Sequence, residues 1–140
     1  GKDSKGNYRT LAKLAKKLPI FPDVDNERSM LYIENLCEFL CQVMLLKTYH
    51  RNSVVLLPQN GEWTKTSDMV KEIAQASGKK ITELKCLAPV VKMGSKMPGK
   101  IGGLVNKAFG NNFYNKRISH YDGLNYQLIS VKKSIVKTEE

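Results

Sequence analysis

Segments with helical periodicity alternate with short apolar runs along the first ninety residues of the chain. The first helix pattern covers Tyr8–Leu18, where leucine and alanine recur at helical spacing and lysines occupy the other side. Pro19 and Pro22 end this helix and impose an extended segment. Because alternating strands and helices pack as layers around one core, the pattern predicts short strands flanked by helices and not an all-helical bundle.

The following segments continue the alternation. They are a strand at Met30–Ile33, a helix at Glu34–Lys47, a strand at Val54–Leu57, a helix from Thr66 or Ser67 to Gly78, and a strand at Ile81–Leu87. The hydroxyl of Thr66 or Ser67 can cap the third helix, and Gly78 suits its C′ position. The continuous apolar run Val54–Leu57 is typical of a strand that is buried on both faces.

The last fifty residues have weaker patterns. Several glycines and Pro98 interrupt the stretch 89–110, which leaves one short helix, Leu104–Phe109, as its predicted element. Tyr126–Ile129 has the composition of a strand, and Ser130 can cap a final helix that runs through Ile135 to Lys137. We therefore predict one domain over residues 1–140, of the α/β (α+β) class, with short strands flanked by helices.

The chain is strongly basic, with 23 Lys and Arg residues against 13 Asp and Glu residues. The excess lies in residues 1–18 and 90–140, while 19–89 is nearly balanced. Such a charge favours a polyanionic partner, which could be a nucleic acid or a phosphorylated small molecule. The sequence has no helix-turn-helix, zinc-finger or RNP signature, so a small basic nucleic-acid-binding or polyanion-binding module is the less favoured alternative.

Cysteine usage and hydropathy indicate the cellular compartment of the protein. No apolar run approaches the ~20 residues that span a bilayer, and the first residues lack the apolar centre of a signal peptide. We expect a cytoplasmic protein with no membrane partner. Cys37, Cys41 and Cys86 lack Cys-x-x-Cys spacing, so we expect buried, reduced thiols and neither a disulfide nor a zinc site.

The motifs of known catalytic sites are absent from the sequence. It contains no G-x-G-x-x-G turn between a strand and a helix, no G-x-S-x-G elbow and no Walker A loop. His50 and His120 have no Cys, Asp or Glu at metal-ligand spacing. We therefore predict no catalytic residue, no cofactor-binding residue and no metal ligand within this chain.

The order of several segments resembles the C-terminal region of the extended short-chain dehydrogenases/reductases. This is the NAD-dependent epimerase/dehydratase family, which includes the UDP-glucose/UDP-galactose 4-epimerases. Four features occur in the family's order: Asn7 at a helix entrance, the segment Leu18–Phe21, Arg28 opening the segment Arg28–Ile33, and a helix that begins Glu34-Asn35-Leu36.

Two later units, 54–78 and 119–135, are also similar to the family's pattern. The chain departs from it at several positions, including Asn125 between Leu124 and Tyr126 and Lys133-Ser134 before Ile135. Ser29 and Asn35 stand where the family usually has aspartates, and Asn60 stands where it has the first glycine of a turn.

The resemblance implies that this chain is the substrate-binding domain of a longer enzyme and lacks the Rossmann domain. In the family that N-terminal domain holds NAD and a catalytic Tyr-x-x-x-Lys pair, and no tyrosine of this chain is followed by lysine at the fourth position. We therefore expect the chain alone to be inactive and to bind no NAD. Its expected partners are a UDP-sugar or related nucleotide-sugar and the missing Rossmann domain. Apolar surface left exposed at the domain junction favours a homodimer.

The resemblance also implies a set of substrate-binding residues. Arg28 would bind the diphosphate, because a guanidinium fork accepts two phosphate oxygens. Asn7 would bind the phosphate or the sugar, and Pro19 and Phe21 would line the base pocket.

Each of these assignments has an alternative. Arg28 could instead form a salt bridge with Asp23, Asp25 or Glu27, and Phe21 could be a core aromatic. Any of Lys96, Lys100 and Lys107 could add charge at the diphosphate or be simply solvated.

Overall fold

A computed structural model describes residues 6–46 and 55–140 of the chain. This part contains six α-helices and a two-stranded sheet, which confirms a small domain of mixed helix and strand. The helices are α1 (Asn7–Lys17), α2 (Ile33–Leu45), α3 (Thr66–Ala76), α4 (Ala88–Ser95), α5 (Lys100–Phe109) and α6 (Val131–Glu139), with short 3₁₀ turns at Lys85–Leu87 and Lys116–Ser119.

The sheet consists of β1 (Ile20–Pro22) and β2 (Thr82–Leu84) in parallel, with Ile20 opposite Thr82. The carbonyl of Pro19 accepts a hydrogen bond from the amide of Thr82 at 2.9 Å. A proline within β1 is tolerated because β1 has a neighbour on one side only, so no ladder bond is lost. The predicted extended segment Pro19–Pro22 is confirmed.

The hydrophobic core lies between α1, β1, α3 and α6. Leu11 and Ala15 of α1 face Ile73 of α3, which is fully buried, and Ile135 of α6 and Phe21 of β1 close the cluster. Burial of each large apolar side chain contributes about 1.5–3 kcal/mol. The predicted helices over Tyr8–Leu18, Glu34–Lys47 and Thr66–Gly78 are confirmed to within a few residues, with Lys47 outside the described residues.

Three predicted strands are wrong in the part of the chain that is described. Met30–Ile33 and Tyr126–Ile129 have no neighbouring strand, and residues 55–57 of the run Val54–Leu57 are also unpaired, while Val54 lies outside the described residues. Side-chain amides replace the ladder. The amide of Tyr32 donates to Asn60 Oδ1 at 3.0 Å, and the amide of Ile129 donates to an oxygen of the Asn35 side chain at 2.9 Å.

The stretch 89–110 is more regular than predicted, because its glycines serve the turn between α4 and α5. Gly99 has φ +80° as the residue before α5. Gly102 lies so close to the turn that an added Cβ would be 1.9 Å from the carbonyl oxygen of Met97. Gly99 and Gly102 thus permit the tight turn before α5 and do not break the helix.

The helix caps are partly as predicted. Gly78 has φ +70° just beyond α3, and the Ser130 hydroxyl accepts from the amide of Lys133 at the start of α6. The prediction that Thr66 or Ser67 caps α3 is wrong. Thr66 is already helical, and its hydroxyl donates to Ala108, whereas Ser67 donates to Asp23.

The prediction of buried cysteines is also wrong, since Cys37, Cys41 and Cys86 are all exposed. Cys37 and Cys41 lie one helical turn apart on α2. Phe39 of the same helix points inward, where it packs on Tyr126 with ring centroids 4.9 Å apart. The helical period therefore places both thiols on the outer side of α2.

Candidate anion-binding site

The backbone at Arg28 is fixed by hydrogen bonds on both sides. Arg28 and Thr64 exchange backbone hydrogen bonds of 3.0 and 3.1 Å. On the opposite side, the amide of Ser29 donates to the carbonyl of Asn112, and the amide of Asn112 donates to the carbonyl of Glu27, at 2.9 Å each. The isolated bridges hold this residue without forming a strand. They fix the direction in which its side chain leaves the backbone.

The Arg28 guanidinium lies at the C-terminal end of α5. Its Nη1 donates to the carbonyl oxygens of Lys107 at 2.9 Å, Ala108 at 3.1 Å and Gly110 at 3.4 Å. These carbonyls belong to the last turn of a helix, where intrahelical donors run out and a cation is favoured. Within the described residues the other guanidinium nitrogens make no hydrogen bond.

Asn7 lies beside Arg28 at the beginning of α1. Its Nδ2 donates to the same Lys107 carbonyl oxygen at 3.0 Å. The first turn of α1 contains no acidic residue, and the preceding Gly6 supplies no capping side chain. The free N–H groups of that turn and the positive end of the helix dipole therefore add to the electropositive character next to Arg28.

A buried polar pair supports the same helix end from behind. Thr66 is fully buried, and its hydroxyl donates to the Ala108 carbonyl at 2.7 Å. Asn26 is 2% exposed, accepts from the amide of Thr66 at 3.0 Å, and donates to its hydroxyl. Neither Asn26 nor Thr66 was predicted to belong to this site. The buried Asn-Thr pair has no sequence signature, because 40 residues separate its two members.

The acidic residues near Arg28 in the sequence do not neutralise it. Asp25 pairs with Lys65 at 2.7 Å, and Asp23 accepts from the Ser67 hydroxyl. Arg28 has no carboxylate partner among residues 6–46 and 55–140, so the alternative of a salt bridge to Asp23, Asp25 or Glu27 is wrong there. Burial lowers the pKa of the Arg28 guanidinium from its very high ordinary value, and the group stays charged near neutral pH.

These residues surround a surface cleft of about 330 Å³. It is lined by Asn7, Arg28, Asn106, Lys107, Gly110, Asn111 and Asn112. The lining combines two cations with four side-chain amides and no carboxylate. Such a set donates hydrogen bonds and favours an anion.

A larger cleft of about 660 Å³ adjoins the first and shares Asn106 and Gly110 with it. Its lining is more apolar and includes Pro89 and Val91 of α4 and Phe109 of α5. The two clefts together form a groove with a cationic end at Arg28 and a more apolar end that also contains Asp25 and Lys92.

The other predicted residues lie outside both clefts. Pro19 is exposed just before β1, and Phe21 is 3% exposed in the core, with its ring centroid 5.6 Å from that of Phe109. Phe21 is thus a core aromatic, and its contact with a base stays a prediction. Of the three lysines considered, Lys107 lines the smaller cleft, whereas Lys96 and Lys100 line neither.

Three of the positions that depart from the family pattern, Ser29, Asn35 and Asn60, hydrogen-bond within a largely buried polar layer. Asn35 Nδ2 donates to Asn60 Oδ1 at 2.9 Å, and both residues are almost fully buried. Ser29 donates to Gln59 Oε1 at 2.6 Å and accepts from the amide of Tyr114 at 2.8 Å. Asn60 Nδ2 is buried and has no hydrogen-bond partner among residues 6–46 and 55–140. The three changed side chains thus bind one another or adjacent residues, with Ser29 one residue from the Arg28 position.

The described residues contain no group of three His, Cys, Asp or Glu side chains that could hold a metal ion. The His120 side chain is 80% exposed, 3.9 Å from Asp122. His50 lies outside the described residues. None of the helices in this part of the chain is long and apolar enough to cross a membrane.

Comparisons with protein-family models, with curated proteins and with solved structures give no match. The resemblance to the epimerase/dehydratase family therefore rests on the residues themselves.

Proposed function

We propose that this chain is the nucleotide-sugar-binding part of an NAD-dependent UDP-sugar epimerase or dehydratase. The observation that supports this best is Arg28, a half-buried guanidinium without a carboxylate partner in the described residues, which lies beside Asn7 in one cleft. The resemblance assigns both residues to the substrate. Their side chains lie together although the sequence separates them by twenty residues.

The diphosphate of the substrate would bind at the cationic end of the groove. The α5 carbonyls orient the guanidinium through Nη1 and leave its remaining N–H groups for phosphate oxygens. Lys107 and the uncapped first turn of α1 add positive charge. The adjoining apolar cleft would receive the uracil or the sugar. Phe109 lines this cleft, and the ring of Phe21 packs against Phe109.

Hydride transfer and proton transfer belong, in this proposal, to a separate NAD-binding domain. The chain itself would bind and orient the nucleotide-sugar, and it would not turn it over. UDP alone should bind weakly, because one domain supplies part of the pocket.

Amide chemical-shift titration with UDP, UDP-glucose and pyrophosphate tests the proposal. We expect shifts at Arg28, at Lys107 and at the amides of 110–112, and a loss of at least tenfold in affinity in Arg28→Ala. Arg28→Lys keeps the charge but removes the fork, so it should bind more weakly than the wild type even if the fold is intact. Arg117→Ala is the charge-matched control and should bind normally.

Two results would contradict the proposal. One is unchanged UDP affinity in both Arg28 variants. The other is tight binding of a random DNA duplex that falls by orders of magnitude over a modest rise in salt, with no UDP response, which would favour the nucleic-acid alternative.

A further inference from the structure

The outer side of α2 exposes a continuous apolar stripe. It consists of Ile33, Cys37, Leu40, Cys41, Met44 and Leu45, which follow the three- and four-residue spacing of one helix face. Their exposure is high for apolar side chains, reaching 81% at Leu45 and 65% at Met44, and 49% at Ile33 and 48% at Leu40. The inner side of the same helix buries Asn35 and Phe39.

The size of this stripe suits a protein interface. The exposed fractions of its four largest side chains correspond to roughly 500 Å², near the upper end of the ~300–600 Å² of the largest apolar patch on a monomer. A standard interface buries ~800 Å² on each partner, of which ~60% is apolar. One such stripe therefore supplies about the apolar area that each side of a stable dimer needs.

The charge distribution also favours contact between two copies here. The chain carries a formal charge of +10, so most of its surface repels a second copy. The stripe contains no Lys or Arg. Glu34 and Glu38 flank it, and the neighbouring Lys137 is neutralised by Glu34 at 2.6 Å.

We propose that the α2 stripe is the interface with a second copy of this chain. An isologous contact uses the same patch on both copies, so residue i of one copy meets residue j of the other and the reverse. When two α2 helices cross antiparallel near residue 39, Ile33 lies opposite Leu45 of the partner subunit and Cys37 lies opposite Cys41 of the partner subunit. The proposal is independent of nucleotide binding, since no residue of the stripe lines the cleft at Arg28.

Light scattering and sedimentation equilibrium of the full chain test this interface. We expect a dimer in the wild type and at least a tenfold increase in the dimer dissociation constant in Leu40→Glu. Leu104→Glu is the matched control, because Leu104 is a 64% exposed leucine on α5. Circular dichroism of each variant verifies that the helices are retained.

The cysteines provide a second readout that needs no destabilising change. A short bismaleimide should link two chains in the wild type and in Cys86→Ser, and it should fail when both Cys37→Ser and Cys41→Ser are present. A monomer at millimolar concentration overturns the proposal and leaves the stripe to another domain or protein. A dimer that Leu40→Glu does not weaken and that Cys37 and Cys41 do not link also overturns it, because a different face then forms the contact.

Discussion

Arg28 and Asn7 donate hydrogen bonds to one atom, the carbonyl oxygen of Lys107, at 2.9 and 3.0 Å. The shared acceptor joins the beginning of α1 and the segment before α2 to the end of α5. Asn7 and Arg28 lie 100 and 79 residues from Lys107 in the sequence. The shape of the cleft at Arg28 therefore depends on long-range contacts that fix a helix end.

The first prediction concerns this helix end. Arg28→Lys should speed hydrogen exchange in the last turn of α5, because an ammonium cannot reproduce the three contacts of Nη1. The half-exposed position limits the loss of local stability to about 1 kcal/mol. Amide exchange by mass spectrometry measures it, with Arg117→Lys as the control. Equal exchange in wild type and Arg28→Lys would show that Arg28 does not hold the helix end.

The two adjacent glycines of α5 give a second, paired prediction. An alanine Cβ at Gly103 meets nothing within 4 Å, so Gly103→Ala should stabilise the protein by about 0.5–1 kcal/mol through helix propensity. At Gly102 the same atom would be 1.9 Å from the Met97 carbonyl oxygen, so Gly102→Ala should cost about 1–3 kcal/mol. Urea unfolding measures both values. Unchanged or increased stability in Gly102→Ala would disprove the close approach of the α4–α5 turn.

The helices could be predicted from the sequence because their signal is local. Leu11 and Ala15 of α1 are buried, and they lie four residues apart, which is the spacing of one helix face. The error at Met30–Ile33 has a different origin. The group that satisfies the amide of Tyr32 is the Asn60 side chain, 28 residues away, and apolar composition cannot distinguish a sheet partner from an amide side chain.

The candidate site likewise has local features that the sequence predicts and distant contacts that it does not. Arg28 and Asn7 were predicted through a resemblance in segment order, and the structure places both at one cleft. The helix Leu104–Phe109 and its end were predicted, but the contact of that end with Arg28 and Asn7 was not, because Lys107 lies 79 and 100 residues from them in the sequence. The support from Asn26 and Thr66 was missed for a related reason. A buried hydroxyl that bonds a distant carbonyl looks, in sequence, like a helix cap.

A third prediction addresses the buried amide layer. Asn35→Ala removes two donated bonds, to Asn60 and to the Ile129 carbonyl, and one accepted from the Ile129 amide. Because Asn35 is fully buried, its former partners become unsatisfied, and unfolding free energy should fall by about 3 kcal/mol. Asn125→Ala, at an exposed position, should change it by less than about 0.5 kcal/mol. Equal urea midpoints for the two variants would contradict the structural importance of this layer.

The fourth prediction concerns stability at alkaline pH. Tyr8 donates to the Glu139 carboxylate at 2.8 Å, and burial together with this bond raises the pKa of the Tyr8 hydroxyl well above its ordinary value of 10.0. A group whose pKa is higher in the folded state contributes stability below its unfolded pKa and loses that contribution as pH rises. The contribution of Tyr8 is therefore complete below about pH 10 and decreases above it, with the slope of one proton.

The difference between wild type and Tyr8→Phe isolates this effect. Lys71 and Lys137 lose their ion pairs in the same alkaline range, since carboxylate partners raise the pKa of each ammonium, but both lysines are present in the wild type and the variant. Guanidinium unfolding from about pH 8 to about pH 11 should therefore show a stability gap that is constant at first and closes above about pH 10. Tyr114→Phe serves as the control, because the Tyr114 hydroxyl makes no hydrogen bond with any described residue. A gap between wild type and Tyr8→Phe that stays constant across the whole range would mean that Tyr8 is not held against Glu139 in solution.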